Sequence, residues 1–301
     1  MNATPRRRPN AGRIALCAAA GLLGFAVPAE ARDRHTLWTV DGEHNTVYLL
    51  GSIHVLRAGD EGLPAAAEDA YDDAEQLVME IDLDDVVAGD PVELLEAMQR
   101  MALLPEGESL HGVLGADYDA INERAREAGL DLALLDRFAP WFVAVTLLQL
   151  ELAKRGFSPE LGVEQTLAAR AVADGKPIQG LETAEQQFAV LAGLPMPMQK
   201  RFLVMTLEDA AGLDAEIEGL MQAWREGDSE ALARLLSEEF DEFPELYKPL
   251  TEDRNRAWLG QLVELLDDRD DYLVVVGALH LVGRNSIVDL LRQRGYQVTQ
   301  Q

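Results

Sequence analysis

The chain has 301 residues, 48% apolar and 26% charged, which is enough to bury an ordinary core and lacks the biased tracts of a disordered polymer. Its 26 basic and 53 acidic residues give a net charge of −27, a surface that repels nucleic acid and anionic headgroups and gathers cations, so nucleic-acid binding is excluded. The one cysteine, Cys17, falls in an amino-terminal stretch expected to be removed, which excludes disulfides and thiolate chemistry from the remainder.

That stretch reads as a signal peptide over residues 1–31. Arg6, Arg7, Arg8 and Arg13 form a basic region, Ile14 to Val27 an apolar one, and Ala29-Glu30-Ala31 a small-x-small cleavage site, so the mature chain, 32–301, is expected to be periplasmic or secreted. The apolar part is shorter than the about 20 residues of a membrane-spanning helix, and no later segment approaches that length. Cleavage leaves 22 basic and 52 acidic residues, a net charge of −30.

Next in the chain, "HTLWTV" (35–40) and "TVYLLG" (46–51) form two strands joined by a turn at "DGEHN". Pro64 opens a short helix over 64–74, and "QLVMEID" (76–82) is a strand that ends in acid. Amphipathic helices are expected over 91–103 and 116–128, with "LDLALL" (130–135) a short strand between helices. "PWFVAVTLLQLELAKRG" (140–156) is a strongly apolar helix, central to the core, running from proline to glycine. Residues 158–175 form another helix capped at Ser158-Pro159, followed by a short strand at "KPIQG" and a helix at "LETAEQQFAVLAGL". From 196 to about 268 the chain is helical and acidic, broken near Gly227–Ser229 and at Pro244, and it closes with a strand at 272–277, a helix over 285–294 and a strand at "YQVTQ".

Strands at both ends and helices between them predict an α/β fold: one domain over 32–301 whose central mixed, mostly parallel sheet takes strands from the amino- and carboxy-terminal parts, with a helical insertion over about 90–268. Three strand ends then approach one another: Gly51-Ser-Ile-His54, Glu80-Ile-Asp82 and Gly277-Ala-Leu-His280. Ligands of parallel α/β sheets bind beyond the carboxyl ends of the strands. Two imidazoles and a carboxylate match the ligand set of hydrolytic metal sites, in which the ion activates water. A histidine among apolar residues is commonly a satisfied core side chain, and Glu80 beside Asp82, Asp84 and Asp85 reads equally as a solvated strand end; the repetition of strand-Gly-x-x-His favours chemistry. Arg254 and Asn255 follow Thr251, a candidate helix cap, and are candidates to hold substrate or stabilise an oxyanion. Glu164 is a first-turn helix acid that serves either as a substrate contact or as surface. His35, His44 and His111 read as loop residues without a role.

In this order "YLLGSIHVL", "LVMEIDL", "APWF", "LGVEQTLAARA", "KPIQGLET", "DRNRAWL" and "VVVGALHLVGRNSIVDLLRQRGYQV" resemble the blocks of the TraB/GumN family, which includes TraB- and PrgY-like bacterial proteins and the animal TIKI proteases. The resemblance implies a fold related to the erythromycin-esterase and ChaN-like group. For TIKI-like members it implies metal-dependent peptide cleavage, with His54, Glu80 and His280 at the metal or catalytic positions and Arg254 and Asn255 matching the polar pair. Glu164 departs from the aspartate more usual there. The expected cofactor is a divalent metal, manganese, cobalt or zinc, and the expected partner a peptide or small-molecule substrate. Two other readings stay open: a non-catalytic protein that sequesters a peptide or haem, and an esterase that needs no metal.

Overall fold

Tyr272–Gly277 carries no charged side chain and is buried at every residue, as required of a strand with neighbours on both edges and helices on both faces. In the computed structural model, which describes residues 34–60, 62–81, 100–208, 213–241 and 244–301, that strand lies at the centre of the sheet. The leader expected over 1–31, the acids Asp82, Asp84 and Asp85, and most of the helix expected over 91–103 lie outside the described residues.

The strands are β1 (Leu37–Asp41), β2 (Thr46–Ser52), β3 (Leu56–Arg57), β4 (Gln76–Ile81), β5 (Phe157–Ser158), β6 (Ile178–Glu182), β7 (Tyr272–Gly277) and β8 (Val298–Gln300). The main sheet runs β6-β4-β7-β2-β1-β8. Its β6-β4, β4-β7 and β7-β2 pairs are parallel, while β1 is antiparallel to both β2 and β8. The sheet is therefore mixed and mostly parallel, and strands from the two ends of the sequence interleave, because β7 inserts between β4 and β2. The carboxyl ends of β2, β4, β6 and β7 consequently share one edge, with Ser52 opposite Gly277 and Ile81 opposite Glu182.

Around the sheet lie α1 (Ala65–Asp73), α2 (Leu110–Leu114), α3 (Tyr118–Glu127), α4 (Pro140–Lys154), α5 (Val163–Asp174), α6 (Ala184–Ala192), α7 (Met196–Glu208), α8 (Leu213–Arg225), α9 (Ser229–Asp241), α10 (Pro244–Tyr247), α11 (Asp253–Leu266) and α12 (Ile287–Gln293). Apolar residues of α1, α5, α8, α11 and α12 pack with the sheet into one core. Leu110, Ile121, Trp141, Leu147 and Leu203, from α2, α3, α4 and α7, form a second core made of helices alone. The apolar helix α4 thus packs into this second cluster instead of covering the main sheet. Among the described residues no helix is long and apolar enough to cross a membrane.

Three local expectations are corrected. "LDLALL" is a 3₁₀ turn over Leu132–Leu135, capped by Asp131 and tied by the Leu132 N–H to Asn122 Oδ1 at 2.9 Å. The run of leucines mimicked a strand, but only Leu132 is buried, while Leu134 is 77% exposed. The helix expected from 158 begins at Val163: Ser158 pairs with Leu56 in the two-stranded ribbon β3-β5, and a 3₁₀ turn over Pro159–Leu161 intervenes. Thr251 does not cap α11; it lies inside a π-helical turn over Lys248–Glu252, where its hydroxyl is buried without a partner.

Candidate active site

Glu80 is the next-to-last residue of β4 and only 5% exposed, so burial works against its charge. Its oxygens are fully engaged. Oε1 accepts the Gly277 N–H at 2.7 Å; Oε2 accepts Arg254 Nη2 at 2.5 Å and Gln187 Nε2 at 3.0 Å. Although burial raises its pKa, the charges of His280, Arg254 and His54 and the Gly277 N–H outweigh it, and the carboxyl is held down at about 2. His280 is itself pushed down to about 4, first by burial and further by Arg254 and His54 against the pull of Glu80. Its ring is therefore neutral near neutral pH, and Arg254 is the cation that pairs with Glu80.

The tautomer of His280 is set by its neighbours. Asn255 Nδ2 donates to the Asn285 carbonyl at 2.9 Å, so Oδ1 is the Asn255 atom that faces His280 Nδ1 at 2.6 Å. Nδ1 carries the proton, and the Nε2 lone pair accepts from Arg254 Nη1 at 3.1 Å, 3.6 Å from Glu80 Oε1. Asn285 provides that carbonyl from a left-handed conformation, φ 56°, which asparagine tolerates better than most residues. Trp258 covers the site from α11, its ring centroid 4.7 Å from that of His280 and 4.6 Å from the Arg254 guanidinium.

His54 follows β2, with a side chain 64% accessible. Its Nδ1 meets Glu164 Oε1 at 2.7 Å, and the Ser52 hydroxyl donates to the same oxygen. Glu164 reaches it because α5 starts against the chain at His54: the Val163 N–H donates to the Ile53 carbonyl, and a Cβ on Gly162 would collide with the His54 carbonyl. The Glu164 charge, opposed by desolvation and aided by the hydrogen bond, raises His54 to about 9. The ring is open to water, so screening weakens the pair.

The two histidines meet at Gly277. A Cβ placed there would lie 3.2 Å from Glu80 Oε1, 3.3 Å from His54 Nε2 and 3.7 Å from His280 Cδ2. With φ −49° and ψ 137°, Gly277 is required by this lack of room and not by its backbone angles. The structure thus brings His54, Glu80, His280 and Arg254 together at the carboxyl edge of the sheet. It places Glu164 and Asn255 one layer behind, each holding the Nδ1 of one histidine. Asn255, fully buried, holds its imidazole.

Two participants escaped the sequence argument. Glu182 ends β6 as Glu80 nearly ends β4, and accepts Arg254 Nε at 3.0 Å and Nη2 at 2.6 Å; applying the strand-end argument to "KPIQGLET" would have found it. Gln187 reaches Glu80 from α6, and nothing in its local sequence marks it.

Among the described residues no three His, Cys, Asp or Glu side chains are placed to hold a metal ion. The donor chemistry nonetheless suits one. Both imidazoles have Nδ1 anchored by an acceptor and present Nε2 beside one carboxylate, the arrangement by which outer partners orient metal-ligating histidines. What stands against it is Arg254, which takes the lone pairs of His280 and Glu80.

The fold is thus a mostly parallel α/β sheet with two anchored histidines and a buried carboxylate at the carboxyl edge of its strands. The chain belongs to the TraB/PrgY/gumN family, whose model matches residues 36–300. It is 27% identical over 269 residues to the uncharacterized protein YbaP of Escherichia coli strain K12, covering 88% of this chain and 96% of that one, and equally to YbaP of Shigella flexneri. It is 26% identical over 320 residues to the metalloprotease TIKI2 of Xenopus tropicalis, covering 87% of this chain and 59% of the relative. No solved structure matches.

Proposed function

We propose that the chain is an exported hydrolase that cleaves peptide bonds at this edge. The observation that carries the reading is the convergence of His54 Nε2, Glu80 Oε1 and the His280 ring on Gly277. The likeness to a relative named as a metalloprotease supports it. His54, Glu80 and His280 would hold a divalent ion, manganese, cobalt or zinc. Once bound, such an ion polarises a carbonyl and lowers the pKa of water from about 15.7 to about 7. Asn255 keeps the His280 Nε2 lone pair directed inward, Glu164 holds the His54 ring by Nδ1 so that its Nε2 faces the same space and must give up its proton before it can act as a ligand, and Gln187 and the Gly277 N–H hold the Glu80 carboxylate in place. Arg254 supplies a fixed cation for a substrate carboxylate or a developing oxyanion once its contacts rearrange.

The position of Arg254 favours a second reading, hydrolysis without a metal, in which His54 exchanges protons with water and the guanidinium is the electrophile. A peptide library offered to the purified chain, with and without exhaustive chelation and metal restoration, separates the two. The first reading expects cleavage that is lost on chelation, restored by one of the three metals and absent in His54→Ala. Activity that survives chelation supports the second, and undiminished cleavage by His54→Ala sinks both.

A further inference from the structure

We propose that Glu182 is a positioning residue: it holds the guanidinium of Arg254, and the guanidinium in turn fixes the Glu80 carboxylate with Oε2 closed and Oε1 left to the two histidines. The inference rests on the hydrolytic reading above for its kinetic arm alone.

A guanidinium carries five N–H donors in one rigid plane, and Arg254 uses all of them. Nε and Nη2 share Glu182 Oε1, at 3.0 and 2.6 Å, and Nη1 donates to the Leu250 carbonyl at 3.1 Å. Both supports are built for this. Glu182 ends β6 beside Ile81 of β4, so its carboxylate arrives from the strand next to that of Glu80. Leu250 lies in the π-helical turn, where the Asp253 N–H donates to the Lys248 carbonyl five residues back; the chain is wound wider there than in an α-helix, and the Leu250 carbonyl receives the side chain of the residue four places on. That turn leaves the Thr251 hydroxyl buried without a partner, a cost that its own stability does not explain.

The other two contacts of the fork reach the site, Nη2 to Glu80 Oε2 at 2.5 Å and Nη1 to His280 Nε2 at 3.1 Å. Because the fork is planar, Glu182 and Leu250 decide where these donors fall. A carboxylate accepts at about four lone-pair positions. Arg254 and Gln187 take both on Glu80 Oε2, and the Gly277 N–H takes one on Oε1. The position left open belongs to Oε1, which lies 3.6 Å from His280 Nε2 and faces the point at Gly277 that His54 Nε2 also approaches. The Arg254 side chain is 12% exposed and that of Glu182 8%, so water does not replace the Glu182 carboxylate as the anchor.

Two variants separate reach from charge. Glu182→Gln keeps the length and an acceptor oxygen but loses the charge, whereas Glu182→Asp keeps the charge and falls one methylene short. On a library peptide that the parent chain cleaves, Glu182→Gln is expected to stay within about three-fold of the parent in kcat, and Glu182→Asp to lose at least about ten-fold in kcat with KM within about two-fold, because placement changes and substrate binding does not. Nitrogen NMR of the histidine rings follows the same contacts without substrate. In Glu182→Asp the His280 Nε2 resonance is expected to move toward that of an imidazole nitrogen with no donor, while the Nδ1 resonance held by Asn255 stays; in Glu182→Gln neither moves. Thermal melts confirm folding of both. A Glu182→Gln chain as impaired as Glu182→Asp, or a Glu182→Asp chain that matches the parent in both readouts, overturns the proposal. A parent chain that cleaves no peptide overturns the hydrolytic reading alone, and the His280 resonances then decide the positioning by themselves.

Discussion

The two Gly-x-x-His segments lie side by side in the sheet, Ser52 opposite Gly277, yet their histidines reach opposite surroundings. His280 is 4% exposed, anchored through Asn255 to the Asn285 carbonyl and pushed toward neutrality. His54 is open to water, anchored by the charged Glu164 and pushed toward the imidazolium. One motif thus supplies a rigid neutral donor and the other an accessible group able to carry a proton. The glycines differ in the same way. A Cβ on Gly51 would press on Ala278 Cα at 3.2 Å, which is sheet packing, whereas a Cβ on Gly277 would enter the space between the site residues. A shared local pattern therefore does not assign a shared role; the partner at Nδ1 and the access to water do.

The largest disturbance of the buried half is Glu80→Ala, which leaves Arg254 short of a partner and is expected to destabilise the chain by about 3–5 kcal/mol in chemical denaturation. Next is Gly277→Ala, expected to lower peptide cleavage by about a hundred-fold through misplacement of the reacting groups. Its counterpart Gly51→Ala is expected instead to cost about 1–3 kcal/mol of stability through overpacking, with the remaining folded protein active. Exchange of the two outcomes would break the comparison. The smallest effect falls on the exposed half. Glu164→Gln is expected to move the His54 titration seen by NMR from near 9 down toward 6.5. Because the folded pKa is raised, the stability from this pair is complete below pH about 6.5 and disappears as the pH rises through about 9; the variant should lack that loss.

The parallel strands were legible because "YLLGS" and "YLVVVG" are apolar without helical periodicity, and both close at a glycine before a histidine. Glu80 was legible as an acid ending an apolar strand. The second core was not, because an apolar helix such as α4 has the same pattern whether it covers a sheet or other helices. The π turn before α11 also escaped, since Thr251 in that sequence reads as an ordinary cap. Beside Glu252 and Asp253, Arg254 reads more readily as a surface cation than as a site residue; only the arrival of Glu182 and Glu80 from distant strands makes it buried and fully bonded. Asn255 was legible as polar and important, but its direction depends on the Asn285 carbonyl, which only the folded loop supplies.

The central claim is that both histidines act on one reaction. It is tested most directly by a double-mutant cycle in kcat/KM for a cleaved peptide, using the parent chain, His54→Ala, His280→Ala and the double variant. Residues acting as a unit lose about as much together as singly, so the double variant should lie within about three-fold of the poorer single one. Losses that multiply, or a His54→Ala chain that cleaves as the parent does, would contradict the account.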